Sequence, residues 1–130
     1  MTVRFVIVGA PRTGSTLLVK TLNTLDGVRC HGELLGPENV RGYEDGFDLE
    51  NADKAARDAR SLRLLQARNS DPVGFMQRAL EKHEGAVGFK ALYAAFLDPR
   101  WQDVVASLLH NSSTRFIHLR RGNGLRRFVS

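Results

Sequence analysis

Residues 3–18 read VRFVIVGAPRTGSTLL: a strand, a glycine-bounded loop and the opening of an amphipathic helix. Val3 to Val8 is a β-branched and aromatic run that stops at Gly9, the pattern of a buried strand. Leu17, Leu18, Thr21, Leu22 and Leu25 share one face of a helix predicted from Ser15 to Leu25. Between them, Gly9 to Thr16 has the spacing G-x-x-x-x-G-x-[ST]. A nucleotide triphosphatase carries lysine where this chain has Ser15. Phosphate binding does not depend on that lysine. Glycines at both ends let successive backbone N–H groups point inward, and the helix start adds unpaired donors and partial positive charge. Each such dipole contact is worth only ~0.3–1 kcal/mol, so a cation is also needed. Arg12 supplies it, and Thr13, Ser15 and Thr16 add hydroxyls. Without the lysine that reaches the β- and γ-phosphates, neither ATP nor Mg²⁺ is expected.

Further along, strands and helices alternate. Val28 to Cys30 reads as a short second strand, and 36–50 as a loop with three Gly, one Pro and five carboxylates. Asn51 to Arg68 is predicted helical. Asp71-Pro72 is a helix start, a capping carboxylate followed by a proline whose missing N–H costs nothing there, with a helix expected to about His83. Ala86 to Leu92 is a third strand. Asp98-Pro99 repeats the start signal for a helix to about His110, Thr114 to Leu119 is a fourth strand, and Asn123 caps a final helix. Alternation of this kind implies crossover connections and a parallel sheet, here an α/β fold of P-loop type with helices on both faces, a three-layer α/β/α arrangement. Such sheets bind ligands beyond the carboxyl ends of their strands.

Length and charge narrow the classes. At 130 residues the chain fits one domain, 1–130. The formal charge is +5, but Arg115, Arg120, Arg121, Arg126 and Arg127 all lie in the last 16 residues, and the remainder is neutral. A nucleic-acid binder is basic along a face or throughout, so this layout points to a local anion site. The single Cys30 excludes an intrachain disulfide framework. Four histidines show no ligand spacing with one another or with Cys30, and no metal is expected. Apolar runs reach about five residues, far short of the ~20 of a membrane span, and no signal peptide is evident, which makes the cytoplasm the expected compartment.

Two motifs together resemble a known family. Pro11-Arg-Thr-Gly-Ser-Thr-Leu-Leu18 resembles the 5′-phosphosulfate-binding loop of sulfotransferases that use 3′-phosphoadenosine 5′-phosphosulfate. Phe116-Ile-His-Leu-Arg-Arg-Gly-Asn-Gly-Leu-Arg-Arg-Phe-Val-Ser130 resembles their 3′-phosphate-binding segment. Cys30-His-Gly-Glu-Leu34 and Val87-Gly-Phe-Lys90 are similar to the bacterial branch that includes the trehalose sulfotransferase type. The resemblance implies that Arg12, Thr13, Gly14, Ser15, Thr16 and Leu17 hold the 5′-phosphosulfate, with Arg12 where many relatives have lysine. It implies Arg121 and Ser130 at the 3′-phosphate, and a carbohydrate or small-molecule hydroxyl as acceptor. The pattern departs in two ways. The usual Arg–Ser spacing is eight; here Gly122 stands eight before Ser130 and Arg121 nine before, so Arg120 is a second candidate. Relatives also continue past this Ser, so the chain is expected to be the N-terminal part of such an enzyme. The alternatives are a truncated, non-catalytic nucleotide-binding module and, from another class, a kinase-like P-loop protein.

Sulfuryl transfer needs positioning, charge stabilisation and a base. Glu33 is the leading base: it follows the short second strand in a Gly-flanked turn, and the resembling enzymes use a Glu in a similar segment. Arg12 is the catalytic cation. His31 is the rival base. Adjacent strand residues face opposite ways, so Cys30-His31 is a poor nucleophile pair and Cys30 is expected as a small buried hydrophobe. Lys90 stands at a strand end, facing the site or solvent. His118 is expected to be structural, His83 and His110 to end helices, and Tyr93, Phe96 and Trp101 to be core.

Overall fold

The computed structural model describes residues 2–10, 15–81, 85–111 and 113–119. Its elements are β1 (Thr2–Gly9), α1 (Ser15–Leu22), β2 (Val28–Glu33), α2 (Lys54–Ser70), α3 (Pro72–Ala79), β3 (Gly85–Leu92), α4 (Tyr93–Leu97), a 3₁₀ turn (Pro99–Trp101), α5 (Gln102–His110) and β4 (Thr114–Leu119). The protein is α/β, with one four-stranded sheet of order β2-β3-β1-β4 in which every pairing is parallel.

β1 lies between β3 and β4 and alternates strictly. Phe5 and Ile7 join one apolar cluster with Cys30 and the α1 residues Leu18, Val19 and Leu22. Val6 and Val8 join the larger cluster, which takes Phe75, Met76 and Ala79 from α3 and Val104 and Leu108 from α5. Period-two alternation thus divides the apolar residues of one strand between two cores. A Val6-sized side chain buried in either core contributes roughly 1.5–3 kcal/mol, so β1 anchors the fold.

The connection out of β1 runs to the outer strand β2, and the one out of β3 passes β1 to reach β4. Neighbouring strands β1 and β3 therefore send their chains in opposite directions, which opens a crevice beyond their carboxyl ends.

Several boundaries moved for local reasons. α1 stops at Leu22 rather than Leu25, because the Asn23 side chain turns outward to bond both the N–H and the C=O of Cys30, at 2.7 and 2.8 Å. α2 starts at Lys54, where Asp53 accepts from the Ala56 N–H. α3 starts at Asp71-Pro72 as expected but ends at Ala79, short of His83, which lies outside the described residues. Asp98-Pro99 opens a 3₁₀ turn, with Asp98 accepting from Arg100, before α5 continues to His110. The short α4 has no capping side chain and no sequence signal preceded it. Asn123 and the rest of 120–130 lie outside the described residues. No helix among the described residues is long and apolar enough to cross a membrane.

Candidate functional site

β2 is three residues longer than expected, and Glu33 stands on it rather than in a turn. Cys30 pairs with Gly88 and Glu33 with Lys90, so three steps on β2 match two on β3. That is a one-residue bulge. A one-residue offset turns every later side chain to the other face. In plain alternation Glu33 would share a face with His31, opposite Cys30. The bulge instead sets it opposite Lys90, which pairs with Ile7 and so belongs to the α1 side of the sheet.

Lys90 faces the site. It is 8 % exposed, its Nζ donates to Thr16 Oγ1 at 3.3 Å, and it lies 3.9 Å from Glu33 Oε2. Ser15 is buried at the first turn of α1, Thr16 follows it into contact with Lys90, and Leu17 points to solvent. A hydroxyl from the α1 start, an ammonium from β3 and a carboxylate from β2 thus meet at the carboxyl edge of the sheet. Arg12, Thr13, Gly14, Arg120, Arg121 and Ser130, together with Arg126 and Arg127, lie outside the described residues.

Glu33 stands in the walls of three cavities among the described residues. A polar cleft of ≈ 350 Å³ runs between α1 and the chain after β2, with Thr16, Lys20, Asn23, Arg41 and Lys90 in its walls. A narrow slot of ≈ 100 Å³ lies toward α4. A third hollow of ≈ 350 Å³ lies over Gly36 to Asn39. The segment after β2 is shaped by close backbone approach. The Gly32 N–H donates to Gly42 O, and the Arg41 N–H to Glu33 O, both at 3.0 Å. A Cβ at Gly32 would stand 2.7 Å from Arg41 O, and Gly42 has φ +71°, so both positions require glycine. Gly32 serves a chain crossing here, not the turn expected at this point. These bonds and Asn23 also occupy the outer edge of β2, which would otherwise be open to pairing.

His31 is not placed as a base. It is 1 % exposed, its Nε2 donates to Ala79 O and its Nδ1 accepts from the Glu44 N–H, each at 2.9 Å. Those bonds require the neutral ring protonated on Nε2 and tie β2 to α3 and to the loop. Cys30 is the buried hydrophobe expected: burial first, and the Glu44 charge second, push its thiol up to about 12, against a smaller opposing pull from Lys90. Trp101 and Phe96 are core, but Tyr93 is 39 % exposed and is corrected to a surface residue. It opens α4 and is hydrogen-bonded to His118 of β4, with the two rings edge to face.

Arg68 is the residue that sequence reasoning missed. In an Ala- and Arg-rich helix it looks like one more solvated charge. It is fully buried, and its Nη1 donates to the carbonyls of Leu34 (3.1 Å), Gly36 (2.6 Å) and Asn39 (3.2 Å). Its guanidinium lies 4.6 Å from the Trp101 ring centre, and Arg100, also against that ring, donates to Pro37 O. Burial, with Arg100 nearby, lowers Arg68 from its ordinary value, while Asp98 acts the other way. The loop that follows Glu33 is therefore held from inside by Arg68 and from the surface by Arg100. Among the described residues no group of three or more His, Cys, Asp and Glu is arranged to hold a metal ion. Compared with protein-family models, curated proteins and solved structures, the chain matches none.

Proposed function

We propose that this chain binds 3′-phosphoadenosine 5′-phosphosulfate and transfers its sulfuryl group to a hydroxyl of a carbohydrate or small-molecule acceptor, on a P-loop-type sheet with a three-layer α/β/α arrangement. One observation carries the reading: Thr16, Lys90 and Glu33 converge where the crevice between β1 and β3 opens, directly after the loop whose sequence resembles a phosphosulfate-binding loop. The division of apolar residues between an α1 cluster and an α3–α5 cluster supports the layering.

The residues suit the donor's chemistry. Ser15 and Thr16 bring hydroxyls and helix-start N–H groups to its sulfated end, with Arg12, Thr13, Gly14 and Leu17 completing the loop. Arg121 and Ser130 are assigned to the 3′-phosphate by the resemblance. Lys90 is a nearly buried cation whose nearest carboxylate stands at 3.9 Å, a loose partner that leaves it able to meet an incoming anion. In the transfer, the acceptor oxygen bonds to sulfur as the bond from sulfur to the 5′-phosphate oxygen breaks, and that oxygen leaves with the electron pair. Glu33 takes the hydroxyl proton, and Lys90 stabilises the charge that grows on the departing oxygen. A sulfate ester and adenosine 3′,5′-bisphosphate result.

Thermal unfolding tests the binding half. At 100 times its dissociation constant a ligand stabilises by ~2.7 kcal/mol, on the order of 10 °C for a chain of this size. Adenosine 3′,5′-bisphosphate is expected to give such a shift and ATP with Mg²⁺ not to; equal shifts sink the reading. For the chemical half, Glu33→Gln is expected to keep bisphosphate binding and to lose ~10²–10⁴-fold in sulfate transfer.

A further inference from the structure

Resting on the sulfotransferase reading, we propose that the acceptor is an alcohol bearing a compact apolar group, which seats in the slot beside Glu33 while its hydroxyl meets the carboxylate. The slot is walled mainly by the apolar side chains of Leu35, Pro37, Ala91, Leu92, Ala94 and Ala95, and most of its lining surface is carbon. Its charged lining is three residues: Glu33 and Lys90, which stand 3.9 Å apart, and Asp98, whose carboxylate Arg100 Nη2 holds at 2.8 Å.

The backbone of the neighbouring loop does not supply what the walls lack. The carbonyls of Leu34, Gly36 and Asn39 accept from Arg68, and that of Pro37 from Arg100. These acceptors are turned toward the arginines. A sugar carries a hydroxyl on nearly every carbon, and a ring seated here would leave those hydroxyls without partners. A short alkyl group has no such need. Apolar cavities near 150 Å³ stay dry and take up benzene, so ≈ 100 Å³ suits a chain of a few carbons. The transfer itself is unchanged. The alcohol oxygen bonds to sulfur, its proton passes to Glu33, and the bond from sulfur to the phosphate oxygen breaks toward phosphate.

The cleft on the other side of Glu33 is where a carbohydrate would find partners, since Lys20, Arg41 and Glu44 line it. The cleft is the more polar of the two cavities, and the apolar group of the acceptor belongs in the slot.

The test uses the full chain saturated with adenosine 3′,5′-bisphosphate and follows binding by saturation-transfer NMR. The probes are 1-propanol, 1-butanol and 1-pentanol against trehalose and glucose, with wild type compared with Ala94→Phe. Ala94 is an exposed α4 residue, so the larger ring fills the slot without entering the core. Affinity is expected to rise about fourfold per added methylene until the slot is full. In Ala94→Phe the alkanol signal is expected to disappear while bisphosphate binding persists. Tighter binding of trehalose or glucose than of the alkanols, or an alkanol signal indifferent to Ala94→Phe, overturns the proposal. Bisphosphate binding is measured in parallel: if it fails while the alkanols still bind in a slot-dependent way, the sulfotransferase reading falls and the apolar ligand site stands.

Discussion

Arg60 and Arg68 stand eight residues apart on α2, and both are buried. They do the same work by different means. Arg60 donates to the Tyr43 carbonyl at 2.8 Å and to the Asp45 carboxylate at 2.7 Å, and lies against the Phe47 ring. Arg68 donates to three carbonyls and to the Asn69 side-chain oxygen, and takes part in no ion pair among the described residues. One clamps the part of the loop near Tyr43, the other the part that follows Glu33. The difference shows that a guanidinium's five donors can organise backbone as well as neutralise charge. It also sets how each clamp responds to acid, because carbonyls do not titrate and Asp45 does.

The largest effect is expected at Arg68. Arg68→Met leaves the buried Leu34 carbonyl and the partly buried Gly36 and Asn39 carbonyls without their donor, a loss on the order of 3–5 kcal/mol in urea unfolding. Arg68→Lys is expected to recover only part, since an ammonium lacks the planar fork. A loss under ~1 kcal/mol would break the contrast by making Arg68 dispensable packing. Arg60→Met is expected to cost less, roughly 1–2 kcal/mol, because its partners near the surface can turn to water. Equal costs would mean that burial alone, not the kind of partner, decides.

The smallest effect is the acid response. Burial raises the Asp45 carboxyl, but the Arg60 bond, the Phe47 N–H and the Arg60 charge outweigh it, leaving it below its ordinary 3.8. A carboxyl lowered in the folded state contributes stability that is present above its ordinary value and lost as pH falls through the folded one. Asp98, lowered mainly by its bond from Arg100, has the same sign. The melting temperature is therefore expected to drop below about pH 4. Asp45→Asn should flatten part of that drop, modestly because the carboxylate is 39 % exposed, and Arg68→Met should flatten it less, since the Arg68 charge is the smallest of the influences that lower Asp98. A much shallower acid transition in Arg68→Met than in wild type would show that the Arg68 clamp is ion-paired after all.

Some of this was legible in the residues. Val3 to Val8 and Ala86 to Leu92 carry their strand character in composition, and Asp71-Pro72 and Asp98-Pro99 carry their starts in one dipeptide each. Other features have no local signal. In Cys30-His-Gly-Glu33 only Gly32 hints at a bulge, and the extra residue itself exists only relative to β3. Tyr93 looked like core because an aromatic after a strand usually is; its place at the head of α4, turned toward His118, depends on two strands that are not neighbours. Gly32 read as a turn residue and Gly42 as part of a loop, yet Gly32 is required because the Arg41 carbonyl is so close and Gly42 because its φ is +71° and the Gly32 backbone lies against it.

The sequence by itself determined that strands and helices alternate, that the first loop has glycines where a phosphate cradle needs them, and that Cys30 is no nucleophile. Those features rest on periodicity and on residues a few positions apart, where covalent geometry limits the choices. Only the tertiary structure decided that Glu33 shares a face with Lys90, that Lys90 reaches Thr16 across 74 positions, and that Arg68 points inward. Each depends on strand register or on one side chain meeting distant carbonyls. A one-residue shift would cancel the first, and no local pattern encodes the others.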